Sequence, residues 1–456
     1  MAAVSAAAAA VATDMASHDK RIGAALAAAT CGLLGAGHTR PADAADDGAK
    51  WDVESALLYY GESDSRVKDM SASVHASRDF GDERVLGLNL SLDSLTGASP
   101  SGAIASGGAQ TFTSPSGRAT YTTPAGEIPL DDTFKDTRFA VQASWSQPLA
   151  RLYNVSAGLG VSSEYDYQHL GGNFGITRDF NERNTTLSFA LAYANDTIKP
   201  VGGIRAPLSE MGDVNGEDQA PANRIASSDT KTVADALLGI TQVLGRHTVL
   251  RLNYSYSDSQ GYLTDPYKLL SVVDPVTGEL LARTPAPGES GADGVYVFEN
   301  RPDSRRKQGL YAELRHDFSG KVLQFDYRFS TDDWEVDSHT LESRLRWPLG
   351  ESNYLEPHVR YYTQTAASFY QYSLASGSPL PQFASADARL ADMDAITVGL
   401  KFGHKTAGGN EWSARLEFYR QTATPPADRL IGNQVGNVQM PDFNAVILQF
   451  GYHFKL

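Results

Sequence analysis

From Trp51 to Leu456 apolar and polar residues alternate in short runs separated by turn signals, and this pattern restricts the chain more than any other. The run from Val85 to Ser94 is the plainest. Leu86, Leu88, Leu90 and Leu92 fall on one side of a pleated strand, and Gly87, Asn89, Ser91 and Asp93 on the other. Leu187, Phe189, Leu191 and Tyr193 oppose Ser188, Ala190 and Ala192 in the same way, as do Leu323, Phe325, Tyr327 and Phe329 against Gln324, Asp326 and Arg328. Sixteen such segments are legible, near 51–60, 67–79, 84–94, 137–148, 153–165, 169–180, 185–198, 230–244, 247–259, 307–318, 321–332, 335–347, 354–368, 393–403, 410–422 and 443–456.

The connections narrow the choice of architecture. Every second one is short: Gly81-Asp82-Glu83, Ala150-Arg151, Asn181-Glu182-Arg183, Gly245-Arg246, Ser319-Gly320, Gly350-Glu351 and Gly408-Gly409. Several of the others are long: 95–136, 199–229, 260–306, 369–392 and 423–442. A soluble sandwich has no reason to collect its long loops at one end, whereas a membrane barrel does. The expected fold is therefore all-β: a transmembrane antiparallel up-and-down β-barrel of about sixteen strands, with fourteen or eighteen as alternatives, short periplasmic turns and long extracellular loops. No run of 18 apolar residues follows the N-terminus, so a spanning helix is not expected. The expected location is the outer membrane of a Gram-negative cell, with membrane lipid as the first partner.

The N-terminus reads as a targeting segment. Lys20 and Arg21 precede an apolar run from Ile22 to Gly37, and Ala42-Asp43-Ala44 offers a small-residue cleavage site. Residues 1–44 are expected to be a signal peptide, with Met15 a plausible start, and 45–456 the barrel. The single cysteine, Cys31, falls within that segment, which leaves no intrachain disulfide or cysteine metal site. The net charge of -15 disfavours nucleic acid as a partner. At the other end Val446, Leu448, Phe450, Tyr452, Phe454 and Leu456 share one face. Phe450, Tyr452, Phe454 and Leu456 look like the terminal signal read by the barrel-insertion machinery, with Leu where the usual last residue is Phe.

The polar faces are uneven. Early strands offer Gly, Ser, Thr, Asn and Ala. From about the ninth strand the polar face carries Arg251, Glu313, Arg315, Asp326, Arg328, Glu342, Arg344, Arg346, Glu356, His358, Arg360, Lys401, Arg415 and Glu417. Facing an Arg to lipid near the midplane costs roughly 2–4 kcal/mol, so these residues are expected to line the lumen. Two readings stand side by side: a salt-bridged wall that stiffens the barrel, and a charged wall that selects a solute or faces an inserted loop. Asp131-Asp132, and Asp213 with Asn215, Glu217 and Asp218, could offer oxygens to Ca²⁺, but their spacing is not that of an EF-hand, and solvated loops are expected. Arg78-Asp79-Phe80, Arg178-Asp179-Phe180 and His316-Asp317-Phe318 repeat one signature before short turns, read as turn chemistry with Phe at the membrane interface. No G-x-S-x-G, H-E-x-x-H or phosphate loop occurs, and no enzyme or cofactor is expected. A barrel hydrolase would have to assemble in space; His169, near Glu164 and Asp166 at a strand end, is the candidate for it, and His358 reads as a wall residue.

The segments Leu57-Leu58-Tyr59-Tyr60-Gly61-Glu62-Ser63-Asp64, Leu95-Thr96-Gly97-Ala98-Ser99-Pro100, Pro129-Leu130-Asp131-Asp132-Thr133-Phe134 and Gly261-Tyr262-Leu263-Thr264-Asp265-Pro266-Tyr267-Lys268 resemble a proteobacterial family known as a domain of unknown function. The resemblance covers nearly the whole chain from Trp51 and implies an outer-membrane barrel. It also implies genetic association with a small lipoprotein, a flavin-attaching enzyme and thioredoxin-like proteins, the parts of an envelope redox system. It transfers no catalytic residue. The expected function is a channel or conduit for a small polar solute or for such a redox system. The alternative is a structural or assembly barrel holding a lipoprotein or flavoprotein partner without an open pore.

Overall fold

A computed structural model describes residues 51–63, 66–97, 100–113, 120–130, 135–211, 223–282 and 294–456. In chain order the strands are β1 (Trp51–Glu62), β2 (Val67–Asp79), β3 (Val85–Gly97), β4 (Gln110–Thr113), β5 (Thr120–Thr123), β6 (Lys135–Ala150), β7 (Tyr153–Ser163), β8 (Tyr167–Phe180), β9 (Thr185–Ile198), β10 (Ile204–Arg205), β11 (Arg224–Ala226) and β12 (Asp229–Gly245). They continue with β13 (Thr248–Gly261), β14 (Leu269–Val273), β15 (Tyr296–Phe298), β16 (Ser304–Phe318), β17 (Lys321–Asp332), β18 (Ser338–Leu349), β19 (Asn353–Gln364), β20 (Leu374–Ala375), β21 (Asp392–Lys405), β22 (Glu411–Thr424) and β23 (Phe443–Lys455). Sixteen of these form one closed barrel in the order β1-β2-β3-β6-β7-β8-β9-β12-β13-β16-β17-β18-β19-β21-β22-β23. The last strand closes antiparallel on the first, from Asp52 opposite Lys455 to Glu62 opposite Ala445. Trp51 and Leu456 exchange both backbone hydrogen bonds, at 3.0 and 2.8 Å, so the sheet has no free edge.

The sixteen barrel strands are the sixteen alternating segments of the sequence, with ends moved by a few residues. Two ends differ for a stated reason. The expected strand 335–347 begins at Ser338 because Asp332 Oδ1 accepts from the backbone N–H groups of Trp334 and Val336, both at 3.0 Å, and folds that stretch into a turn. Trp334 and Val336 then serve a core made by the loops. The expected strand 354–368 stops at Gln364, and Ala367 enters that same loop core. Residues 1–50, with the expected signal peptide and Cys31, lie outside the described residues, as do Asp131, Asp132, Asp213, Asn215, Glu217 and Asp218.

Alternation sets the two faces. Leu88, Leu90, Leu92, Leu159, Leu191, Leu238, Leu310, Phe325, Val398, Phe418 and Phe450 all point outward and are exposed. Such an apolar girdle is untenable in water and is what acyl chains require. The opposite face is the concave one. Arg346 on β18 reaches within 3.7 Å of Glu411 on β22, although β19 and β21 lie between them in the sheet. Side chains three strands apart converge only inside a closed sheet.

The periplasmic turns repeat one construction. Arg78 lies over the Phe80 ring at 5.1 Å and Arg178 over Phe180 at 4.5 Å, while the His316 and Phe318 ring centroids are 4.2 Å apart. Asp79 Oδ1 accepts from Gly81 N–H at 2.8 Å, and Asp317 Oδ1 from Gly320 N–H at 2.5 Å. Gly81 and Gly320 sit at φ 86° and 93°, where a side chain would be strained. The cation or imidazole shields the Phe at the membrane edge while Asp satisfies the turn.

Candidate functional site: the charged inner wall and the extracellular cap

The charged wall runs over β13, β16, β17, β18, β19, β21 and β22, and hydrogen-bond register determines which of its groups meet. Arg251 and Glu313 face each other across β13 and β16, with Nη1 3.7 Å from Oε2. Arg315 Nε lies 2.9 Å from the other Glu313 oxygen. The Tyr311 hydroxyl donates to Glu313 at 2.9 Å and to Asp326 at 2.8 Å, and Arg328 covers the Tyr311 ring at 5.4 Å. Glu342 is the next hub. It pairs with Arg344, accepts from His358 Nε2 at 3.2 Å and lies 3.9 Å from Arg360 Nε. Arg415 bridges Glu356 at 3.4 Å and Glu417 at 3.5 Å. Arg346 covers the Tyr354 ring at 3.7 Å. Lys401 stands between Glu356 and Arg415 in register.

Glycine makes the densest part of this wall possible. Arg344, His358, Gly399 and Glu417 form one row across β18, β19, β21 and β22. His358 Nδ1 and Glu417 Oε1 meet at 2.8 Å over the bare backbone of Gly399. A Cβ at 399 would lie 2.4 Å from Glu417 Cγ. Four residues along, the Tyr354 ring crosses Gly403 to donate to Glu411 at 2.6 Å, and a Cβ at 403 would lie 2.1 Å from that ring. The sequence carried this signal as Gly-x-Lys-x-Gly on the polar face of β21.

The opposite wall meets different neighbours. His169 does not join Glu164 and Asp166, as its place in the sequence suggested. It lies opposite Asp196 on β9, with Nδ1 2.6 Å from Oδ1, and Tyr167 and Lys231 (3.0 Å) complete that buried group. Glu164 and Asp166 gather instead with Asp136, carboxylate oxygens within 4.8 Å of one another. Arg138 stands 3.8 Å from Glu164, and the Tyr267 hydroxyl donates to Asp166 at 2.5 Å, which offsets part of the repulsion.

Burial changes along the barrel axis. On β9 the inner residues Ala190, Ala192, Ala194 and Asp196 are buried towards the extracellular end, and Thr186 and Ser188 are half-buried below them. On β23 Phe443, Ala445 and Ile447 are buried, and Gln449 and Gly451 are not. β12 repeats the change, from Lys231, Val233, Asp235 and Leu237 to Gly239 and Thr241. On these three strands the inner face is filled at its extracellular half and more open at its periplasmic half, whereas on the charged wall Glu313, Arg344, Tyr354 and Arg415 stay buried farther towards the periplasmic end.

Beyond the extracellular ends the loops interlock into a cap. β14 pairs antiparallel with β15 of its own loop and parallel with β20, from the loop between β19 and β21. Leu269 N–H donates to Ser101 carbonyl at 2.8 Å, Met211 N–H to Tyr296 carbonyl at 2.8 Å and Asn433 N–H to Thr277 carbonyl at 2.8 Å, so five loops share one backbone network. Trp334, Phe369 and Tyr370 form one apolar core; Phe112, Tyr121 and Tyr296 form another. Between them lies a buried ionic latch. Arg301 joins Glu299 (2.6 Å) to Asp387 (2.7 Å), Arg389 joins Asp387 to Asp265 (2.8 Å), Ser385 donates to Glu299, and Lys268 donates to Pro100 carbonyl. Burial alone would raise the Asp387 carboxyl, but Arg389, Lys268 and Arg301 hold it well below the ordinary carboxylate value. Burial raises Glu299, outweighing Arg301 beside it. Asp265 and Lys268 figured in the sequence only within the segment that carries the family resemblance, and the other latch groups did not stand out, since partners lie up to 168 residues away.

Phe450 and Tyr452 lie exposed on the outer face of β23, Tyr452 against Phe454 with ring centroids 5.4 Å apart, and Leu456 is 69% exposed.

Solved structures with a similar fold include the ferric enterobactin receptor PfeA, which is 12% identical with TM-score 0.40 over 83% of this chain and 54% of that one. The siderophore receptor PirA from Acinetobacter baumannii is 9% identical, with TM-score 0.40 over 83% of this chain and 53% of that one. The CymD monoaromatic hydrocarbon channel is 8% identical, with TM-score 0.38 over 90% of this chain and 89% of that one. The chain spans about half the length of the two receptors. No curated protein matches it. The family model described as "Protein of unknown function (DUF3570)" matches residues 23–454, nearly the whole sequence, and the chain belongs to that family.

Proposed function

We propose that this barrel is an outer-membrane conduit for a small polar solute, shut at its extracellular end by the interlocked loops and open towards the periplasm. The change in burial along the inner face carries this reading. A barrel serving only as a membrane anchor has no need of a wide polar vestibule at one end and a latched cap at the other. The open groups of the charged wall supply the selective surface: Arg315 and Arg346 have side chains 47% and 40% exposed, while Glu313, His358, Arg360, Arg415 and Glu417 are buried in the wall behind them. A solute passing the vestibule meets mixed charge with cations in excess on that side. The solute of an envelope redox system would suit the same path. No catalytic step is part of the reading; His358 has carboxylates at both ring nitrogens and His169 is held by Asp196.

Planar-bilayer conductance tests it. The native barrel should be nearly silent, and an Arg301→Ala/Arg389→Ala variant, which breaks the latch, should conduct in discrete steps. A variant whose cap is proteolytically accessible but whose pore stays sealed would end the conduit reading. That outcome would favour the second one, a barrel that holds a periplasmic lipoprotein or flavoprotein partner in its open end. Crosslinking from the vestibule, at Arg315 for example, would then capture the partner.

A further inference from the structure

The outer face of the barrel should be apolar with scattered neutral polar groups at its rims. One sector departs from this. Across β2, β3 and β6, Lys68, Thr96 and Lys135 are direct partners in register, all at the extracellular ends of their strands. Both lysines are exposed, on the face that carries Met70 one outward position below Lys68 and Phe139 two outward positions below Lys135. The row continues through Gly61 and Val446 to Phe418 on β22, and Arg420 stands exposed one outward position above Phe418. Three cations thus crown six consecutive strands. Every carboxylate on those strands falls in the inner register, with Glu62, Asp69, Asp93 and Asp136 the nearest, so none shares the outer face with the lysines. Two other rim groups are answered: Arg306 lies 3.9 Å from Asp258, and Asp394, on β21 diagonal to Arg420, accepts from the Tyr361 hydroxyl at 2.6 Å.

We infer that the Lys68–Thr96–Lys135 row, with Arg420 beside it, binds the phosphate groups of a phosphorylated glycolipid of the outer leaflet. Two strand spacings place the lysine stems about 10 Å apart, wide enough to grip one disaccharide headgroup at two points. The height is right, because the cations sit where the apolar girdle ends and headgroups begin. Lys and Arg facing anionic headgroups gain attraction there at little desolvation cost. Met70, Phe139 and Phe418 supply the surface for the acyl chains of the same molecule, which argues for a lipid over free phosphate. Gly61, beside Lys68 in register, is covered on the outer face by the Tyr59 ring, which adds an aromatic surface to the patch.

The purified full-length barrel, titrated in detergent with a bis-phosphorylated, multiply acylated glycolipid and followed by native mass spectrometry, tests this. Native protein should retain the glycolipid, and Lys68→Gln/Lys135→Gln/Arg420→Gln should bind it about tenfold more weakly or worse. The same glycolipid stripped of phosphate should bind native and variant proteins alike. Arg306→Gln, at an already paired rim cation, should leave binding unchanged. If the triple variant does not fold by heat-modifiable gel migration, the single Lys135→Gln variant carries the comparison, with about a fivefold loss expected. Equal binding of the phosphorylated lipid by native and folded variant proteins overturns the proposal. Full displacement by millimolar inorganic phosphate also overturns it, by showing a free-anion site.

Discussion

The two halves of the barrel interior use the same residue types under opposite conditions. At the extracellular end, and in the cap above it, charges are dry: Asp387, Glu299 and Lys268 are all buried, and each is answered from a different stretch of chain, by Arg301, the Ser385 hydroxyl and the Pro100 carbonyl in turn. Nearer the periplasmic end charges reach water: Arg315 is 47% exposed in its side chain, and Asp79 and Glu54 are open to solvent, although Glu313 and Arg415 stay buried in the wall. Charge lining a lumen therefore means two things. Where water reaches it, an ion pair contributes little and the charge acts through its field. Where water is excluded, the geometry must be complete, because an unanswered charge is costly to bury. The first arrangement suits passage and the second suits a lock.

The largest effect should come from unanswering the lock. Arg389→Ala leaves Asp387 and Asp265 buried with one fewer partner, a loss of about 3–5 kcal/mol in cap stability. Limited proteolysis should cut the loops 262–303 and 365–391 much faster while the barrel keeps its heat-modifiable migration. Acid should act on the same lock more selectively. Asp387 is depressed in the folded cap, so its contribution is present above the unfolded carboxylate value and lost only as pH falls through the lower folded one. Glu299 is raised, so its protonation on mild acidification does not oppose the folded cap. Conductance should stay closed from neutral pH to the upper edge of the carboxylate range, and open only below that range. Opening at pH 6 would contradict the assigned partners of Asp387.

The difference between the halves also decides what could be read from the sequence. The barrel was legible because a strand writes its two faces into alternate residues, so the girdle Leu88-Leu90-Leu92 and its polar partners declare themselves locally. The charged wall was legible as a face for the same reason. Its pairings were not, because they depend on register: His169 meets Asp196 across β8 and β9 instead of its sequence neighbours Glu164 and Asp166. The cap was illegible. Tyr296 packs on Phe112, and Arg389 reaches Asp265, through loops with no period to betray them. The misread run 335–337 alternates like a strand because Trp334 and Val336 face a core that lies in the cap, and the misread run 365–368 places Ala367 in that same core.

A smaller effect should follow from crowding the boundary between the halves. Gly399→Ala sets a Cβ 2.4 Å from Glu417 Cγ and must push Glu417 off His358. Overpacking of this kind costs about 1–3 kcal/mol, to be read as a lower urea midpoint for unfolding from lipid. In the periplasmic half Gly87→Ala is the matched control. Its Cβ would meet only the Ser144 hydroxyl, at 2.6 Å, which can rotate away, so its midpoint should move less. Equal shifts would mean that the two halves are packed alike.

The smallest effect on stability belongs to Arg315→Ala, and it is the one that bears on passage. Arg315 Nε sits 2.9 Å from Glu313, yet its side chain is half in solvent, so the pair should contribute no more than about 1 kcal/mol. Glu313 keeps the Tyr311 hydroxyl at 2.9 Å and Arg251 at 3.7 Å, and is not left unanswered. The urea midpoint should hardly move. What the substitution removes is one positive charge from the vestibule. In the latch-broken background the reversal potential in a salt gradient should therefore shift towards cations, while Lys405→Ala, nearer the periplasmic edge of β21, should shift it less. A large loss of stability with no change in selectivity would show that the periplasmic wall is a structural ion-pair lattice, and would erase the distinction between the wet and dry halves.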